Sequence, residues 1–295
     1  MANGQWYPAE WPDRIRALAA GTLTPVTPRR AATVMLLKDT ADTPVVHMLR
    51  RRASMAFAGG AYAYPGGGVD PRDDDHLIRW AGPTRAWWAS RLGVDETDAQ
   101  AIVCAAVRET YEEAGVLLAG PTPDTVVGDT TGGDGTGGDA WEADRAAVAA
   151  RELSFAEFLE RRGLVLRSDL LGAWTRWITP EFETRRYDTW FFVAALPPGQ
   201  RTRNASTEAD RTVWIRPRDA ADGYDKGELL MMPPTIATLR QLSAYGTAAE
   251  ALAAAPGRDL TPVLAEARLD HDDVVLTWPG HAEFTKRIPA GGGPA

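Results

Sequence analysis

The sequence is poor in the residues that build covalent cross-links and soft metal sites. Cys104 is the single cysteine among 295 residues and there are four histidines, so no intramolecular disulfide can form and no cysteine–histidine cluster is on offer for zinc. Lys38, Lys226 and Lys286 are the only lysines, which makes nearly all positive charge arginine, a feature of composition that carries no functional weight alone. Long hydrophobic runs are missing as well. No stretch approaches the roughly 20 apolar residues of a membrane-spanning helix, and Met1 to Leu18 holds no apolar run of signal-peptide length. The expectation is a soluble, cytoplasmic protein with no membrane partner. Positive charge is in deficit, with 32 Lys+Arg against 40 Asp+Glu and a net charge of −8. That argues against a nucleic-acid partner, which calls for a basic surface. It leaves a phosphorylated substrate open, because a bound divalent cation offsets local charge.

What is present reads as a globular α/β chain, 44% hydrophobic and 24% charged. Residues 1–29, with Pro8, Pro12, Pro25 and Pro28, predict an arm that packs loosely or not at all. Residues 30–290 are expected to form a single domain. Strands are predicted over 32–37, 44–49 and 61–64, the last running into Pro65-Gly66-Gly67-Gly68, a segment not expected to continue regular structure. A helix is predicted over about 98–114, capped by Thr97 with Gln100 and stopped by Gly115. Residues 120–140 are almost entirely Gly, Thr, Asp and Pro and read as a flexible surface loop. Two helical pieces over 141–162, the second capped by Ser154 and Glu157, precede strands at 170–178, 187–196 and 212–215. Residues 217–260 read as mainly helical, and 274–278 as a last strand.

The chemistry concentrates in Arg108-Glu109-Thr110-Tyr111-Glu112-Glu113-Ala114-Gly115-Val116. On a helix, Glu109, Glu112 and Glu113 stand at i, i+3 and i+4 and share one face, while Val103, Val107, Thr110 and Ala114 fall on roughly the opposite face. Three clustered anions repel unless a hard cation joins them. A solvated acidic face is the ordinary explanation of such a cluster. Two features count against it: Ile102, Ala105 and Ala106 extend the same face, and Pro65 to Asp70 supplies a glycine loop followed by a carboxylate.

Gly67, Arg108, Glu109, Glu112, Glu113 and Gly115-Val116 together resemble the Nudix box, a glycine loop followed by Arg-Glu-hydrophobic-x-Glu-Glu-x-Gly-hydrophobic. Gly67 and Arg108 lie 41 positions apart where the uninterrupted pattern has 14, leaving an insertion of about 27 residues within 71–97. The glutamate expected between the two halves has three candidate equivalents: Asp73 counting forward, Gln100 counting back, and Glu96 nearby. An interrupted box followed by Val116-Leu117-Leu118 is similar to the peroxisomal coenzyme A diphosphatase subfamily of animals. So are Trp174 to Pro180, Arg185 to Thr189 running into Phe191-Phe192, Trp214 to Pro217, and Pro233-Pro234, so that the resemblance spans about residues 31–245. The C-terminal residues Gly291 to Ala295 do not form a peroxisomal address.

The resemblance implies an α/β/α sandwich around a mixed sheet and hydrolysis of a nucleoside-linked diphosphate, with coenzyme A or acyl-CoA as first substrate. NADH-like or ADP-ribose-like compounds are the enzymatic alternative, and a non-catalytic ligand-sensing module is the reading from another class. Glu109, Glu112 and Glu113 are implied to hold Mg²⁺ or Mn²⁺, Arg108 to orient a box glutamate, and Gly67 and Gly68 to shape the loop. The general base is either a box glutamate or one from a separate loop, Glu208 first and Glu183 second. Arg50, Arg51 and Arg52 are candidate phosphate clamps, with Arg50 and Arg52 preferred, and Arg186 is a candidate for a 3′-phosphate. The insertion, with Trp80, Trp87 and Trp88, suggests either a cover over the site or a subunit contact in a homodimer.

Overall fold

From Ala31 to Leu37 the chain is almost continuously apolar, the pattern of a strand covered on both faces. The structure, a computed structural model, describes residues 8–54, 59–128, 138–204, 209–271 and 273–289. In chain order it forms α1 (Trp11–Ala19), β1 (Arg29–Lys38), β2 (Val45–Arg51), β3 (Tyr62–Ala63), β4 (Gly66–Gly68) and β5 (Trp80–Ala81). Next come α2 (Arg85–Leu92), α3 (Glu96–Ala114), β6 (Ala119–Gly120), α4 (Asp139–Ala149), α5 (Phe155–Arg161), β7 (Val165–Arg167) and β8 (Gly172–Ile178). They are followed by β9 (Tyr187–Ala195), β10 (Ala209–Ile215), α6 (Pro217–Asp225), α7 (Pro233–Leu242) and α8 (Ala248–Ala254). The chain closes with β11 (Val263–Leu264), β12 (Glu266–Asp270), β13 (Asp273–Thr277) and β14 (Lys286–Ile288).

The main sheet runs β10-β2-β1-β9-β8-β11, with β3 beside β2 and β4 beside β1. It is mixed: β1 pairs parallel with β9 and β11 with β8, while the other pairings are antiparallel. Alternate residues of β1 feed two separate cores. Ala32, Val34 and Leu36 join α3, α2 and α5 on one face, and Met35 and Leu37 join α1, α6, α7 and α8 on the other. This is the expected α/β/α sandwich. Two small sheets flank it, β5-β7-β6 and the antiparallel β12-β13-β14. The second was not expected beyond its middle strand, its partners being short and half polar. No helix among the described residues is long and apolar enough to cross a membrane.

Three expectations are corrected and a fourth is widened. The arm does pack: Pro12 opens α1, which buries Trp11 and Ile15, with Trp11 edge-on to Phe182 at 5.1 Å between ring centres. The glycine segment does continue regular structure, as β4, pairing Gly66, Gly67 and Gly68 with Thr33, Ala32 and Ala31. The cap of α3 is Asp95, whose carboxylate accepts from the Asp98 amide at 2.8 Å; Thr97 and Gln100 lie inside the helix. The insertion, read as a cover or a subunit contact, contributes to the core as well: Trp88 is buried against Phe192, and the Leu92 carbonyl accepts from Trp190 Nε1 at 3.2 Å. Trp87, 45% exposed, stays at the surface. The Ser154–Glu157 capping box and the left-handed Gly115 (φ 68°) stand as expected. Of the predicted flexible loop, residues 129–137 lie outside the described residues.

Candidate active site

The N-terminal half of α3 is an apolar rod between the sheet and the insertion, with every residue from Ala99 to Val107 buried. That burial fixes where the last two turns emerge. Arg108, 8% exposed, is the hub there. Its Nε and Nη2 donate to the two carboxylate oxygens of Asp73, both at 2.9 Å, and Nη2 donates also to Gly68 O at 2.8 Å. Nη1 donates to Glu109 Oε1 at 2.7 Å and Glu112 Oε1 at 3.0 Å. Burial works against the charge, but the bond and charge of Asp73, with Glu109 and Glu112, outweigh it and push the guanidinium pKa up. Asp73 belongs to a short 3₁₀ turn, Pro71–Asp74, capped reciprocally by Asp70. The structure thus chooses among the three candidates for the middle acid of the box. Asp73 is the one that meets Arg108, whereas Gln100 bonds to Arg85 and to Asp75 O, and Glu96 is exposed in the first turn of α3.

The glycine loop lies directly on the glutamates. A Cβ on Gly67 would come within 2.6 Å of the Glu109 carboxylate, and the Gly66 amide donates to Glu113 Oε2 at 2.9 Å. Only a glycine lets the backbone approach a carboxylate this closely. Gly68 has no such constraint, its nearest neighbour being Arg30 O at 3.9 Å. Desolvation raises the Glu109 pKa to about 7; Arg108 pulls it back and the Glu112 charge adds to the rise. A carboxyl held near neutrality by burial and a like charge is one whose anion a nearby cation stabilises. The donor set of Glu109, Glu112 and Glu113, all hard oxygens on one helix face, fits Mg²⁺ or Mn²⁺. Among the described residues no three side chains already form a joint metal-ligand group. Glu109 and Glu112 turn to Arg108 while Glu113 turns to Gly66, partnerships that keep the mutually repelling carboxylates apart.

A shallow cleft opens beside Glu113, lined by Leu49, Arg51, Ala63, Tyr64, Gly66 and Ala209. It brings Arg51 into the site in place of the preferred Arg50 and Arg52. The reason is strand alternation: Arg50 and Arg51 point to opposite faces of β2. Arg50 makes a two-pronged pair with Asp210 at 2.7 and 3.0 Å, and Arg52 is exposed just past the strand. Arg186 is buried and donates to Thr179 O at 3.0 Å and Val26 O at 2.7 Å, tying down the chain before β1. Its Nε and Nη1 are thereby committed to the protein's own carbonyls, a structural use that competes with the expected 3′-phosphate role. Glu208 lies outside the described residues; the next residue, Ala209, lines the cleft. Glu183 accepts from Trp11 Nε1 at 2.8 Å, in the packing of α1. The structure therefore gathers Arg108, Glu109, Glu112, Glu113, Gly67 and Gly68, adds Asp73 and Arg51, and assigns Arg50 and Arg186 other partners.

Comparisons with known proteins agree with this geometry. The family model described as the NUDT19 Nudix domain matches residues 89–242, which carry the glutamate helix α3 and strands β8, β9 and β10 of the main sheet. A chicken (Gallus gallus) protein named acyl-coenzyme A diphosphatase NUDT19 is 27% identical over 235 residues, covering 68% of this chain and 61% of that protein. The human protein of the same name is 26% identical over 230 residues, covering 68% and 60%. The alignments thus span about three-fifths of those relatives' length. The crystal structure of a NUDIX hydrolase from Alicyclobacillus acidocaldarius has a TM-score of 0.64 and 28% identity, over 77% of this chain and 96% of that one. The family match begins past the glycine loop and Asp73, so the join between the two halves of the box rests on the contacts of Arg108. With more than half of the chain matched and the interrupted box closed in space, this protein belongs to the Nudix family, in its NUDT19 Nudix domain group.

Proposed function

We propose that the protein is a metal-dependent diphosphatase that hydrolyses coenzyme A or acyl-CoA to 3′,5′-ADP and (acyl-)phosphopantetheine. The observation that carries the hydrolase reading is the closed box: a glycine strand seated on Glu109, with Arg108 bridging Asp73, Glu109 and Glu112. The choice of substrate is supported by the names of the chicken and human relatives, both acyl-coenzyme A diphosphatases. Glu109, Glu112 and Glu113 are the residues that would hold Mg²⁺ or Mn²⁺, which when bound supplies a Lewis acid to phosphate oxygens and activates water. Arg108 and Asp73 set the direction of the carboxylates, and Gly67 lets them sit under the loop. Arg51, on the cleft wall, is placed to pair with a substrate phosphate. Water adds to phosphorus, the bridging P–O bond breaks, and the proton released passes to a glutamate. Glu208, next to a cleft-lining residue, is the first candidate for that base.

The test is product identity. Incubated with coenzyme A and Mn²⁺ or Mg²⁺, the wild-type protein is expected to release 3′,5′-ADP, resolved by chromatography. Glu112→Gln should slow this at least about 100-fold, more than the usual loss on removing an outer-shell partner, while circular dichroism shows the chain still folded. Absence of 3′,5′-ADP with wild type would overturn the coenzyme A assignment, and NADH and ADP-ribose would then be assayed.

A further inference from the structure

α3 ends with two adjacent glutamates, Glu112 and Glu113, in its last turn, and no basic residue of its own stands there. This is electrostatically adverse. The C-terminus of a helix carries a partial negative charge, and its last four carbonyls lack partners within the helix. Other parts of the chain supply what is missing. Gly115 N donates to Tyr111 O and Arg203 N to Ala114 O, both at 2.9 Å. Glu112 O receives Arg145 Nη1 at 2.7 Å, from α4, 33 residues further along the chain.

Arg145 is not a surface ion-pair residue. It is 8% exposed, and its Nε and Nη2 are held by the Glu142 carboxylate one turn earlier on α4. Glu142 Oε2 is in turn 3.4 Å from Arg203 Nη1. A guanidinium is permanently cationic in a protein, and the Glu142 carboxylate pins this one in place. The result is a fixed positive charge and a directed donor on the backbone of Glu112, the residue between Glu109 and Glu113 on the site face.

We infer that Arg145 is a positioning residue for the metal-binding glutamates. It holds the last turn of α3 closed and offsets the paired charge there, so that Glu112 and Glu113 present their carboxylates from a fixed backbone. Arg145 does not reach the substrate or the carboxylates themselves; it acts through the Glu112 carbonyl. The inference rests on the proposed metal role of Glu109, Glu112 and Glu113.

The experiment is a titration of the 295-residue chain with Mn²⁺ without substrate, read by electron paramagnetic resonance, for wild type, Arg145→Gln, Arg145→Lys and Arg162→Gln. Arg162 also anchors α4, bonding Asp144 Oδ2 at 2.6 Å and Ala140 O at 2.8 Å, but among the described residues it gives no hydrogen bond to α3. Arg145→Gln should weaken Mn²⁺ binding about 10- to 100-fold, the range for loss of an outer-shell partner, and Arg145→Lys should restore most of it. Arg162→Gln should bind as wild type does. In turnover with coenzyme A, Arg145→Gln should lower kcat and leave KM unchanged. Unaltered Mn²⁺ binding by Arg145→Gln, no recovery by Arg145→Lys, or an equal loss in Arg162→Gln would each overturn the inference. Failure of the wild type itself to bind Mn²⁺ would instead overturn the metal role of the glutamates.

Discussion

Arg108 and His47 are both buried in this sandwich, and the fold treats them in opposite ways. Arg108, at the C-terminal end of α3, gives hydrogen bonds to Asp73, Gly68, Glu109 and Glu112. His47, 1% exposed on β2, has no hydrogen-bond partner for either ring nitrogen among the described residues; it lies edge-on to Trp214 at 5.2 Å. Arg108 stays charged because its partners outweigh desolvation. His47 stays neutral because desolvation, with some help from Lys38, lowers its pKa to about 4. Partnered charge is kept where carboxylates must be aimed, and a bare ring is tolerated near the sheet edge, where it serves as packing. Burial alone therefore does not mark a functional ionisable group; the set of partners does.

The largest effect should come from breaking the partnered side. Asp73→Ala leaves the Arg108 guanidinium buried with two of its five hydrogen bonds gone, and loss of one member of a buried ion pair costs about 3–5 kcal/mol. Urea unfolding measures it, and a loss below about 1 kcal/mol would mean that Asp73 does not hold the box together. The unpartnered side predicts a pH effect. With a pKa near 4 folded and 6.5 unfolded, His47 takes up its proton more readily in the unfolded chain. Its contribution is complete above about pH 6.5, falls as pH drops towards 4, and totals about 3 kcal/mol. His47→Leu should flatten that part of the stability–pH curve, and an unchanged slope would refute the assignment. The smallest effect separates two neighbouring glycines. Gly68→Ala should change stability by no more than about 0.5 kcal/mol and keep turnover. Gly67→Ala, whose new Cβ would sit 2.6 Å from the Glu109 carboxylate, should cut turnover with little change in the melting temperature.

Much of the site was legible in the sequence because helical spacing is local. Glu109, Glu112 and Glu113 share a face by arithmetic, and Gly115 stops the helix in the left-handed conformation expected of it. The middle acid was not legible, since an insertion breaks the count between Gly67 and Arg108, and only the contact of Asp73 with Arg108 closes it. Strand parity decided the arginines: three in a row carry no label of which faces the cleft until β2 is paired with β10 through Arg51 and Ala209. The glycine strand was missed because its pairing with β1 supplies from outside the regularity that three glycines lack by propensity. Arg145 left no signal at all, its target being a backbone carbonyl on another helix.

The sequence by itself determined the pieces whose logic is short-range: the central apolar strand β1, the glutamate helix with its glycine stop, the Ser154–Glu157 cap, and the acidic balance that points away from nucleic acid. The tertiary structure decided everything that depends on two distant segments meeting. It seated Gly67 on Glu109, joined Asp73 to Arg108, and turned the insertion into core through Trp88 and Leu92. It also brought Arg145 to the end of α3 and put α1 against Phe182. The reason is physical: hydrogen-bond periodicity and capping act over three to four residues, whereas burial and charge pairing depend on which surfaces the whole chain brings into contact.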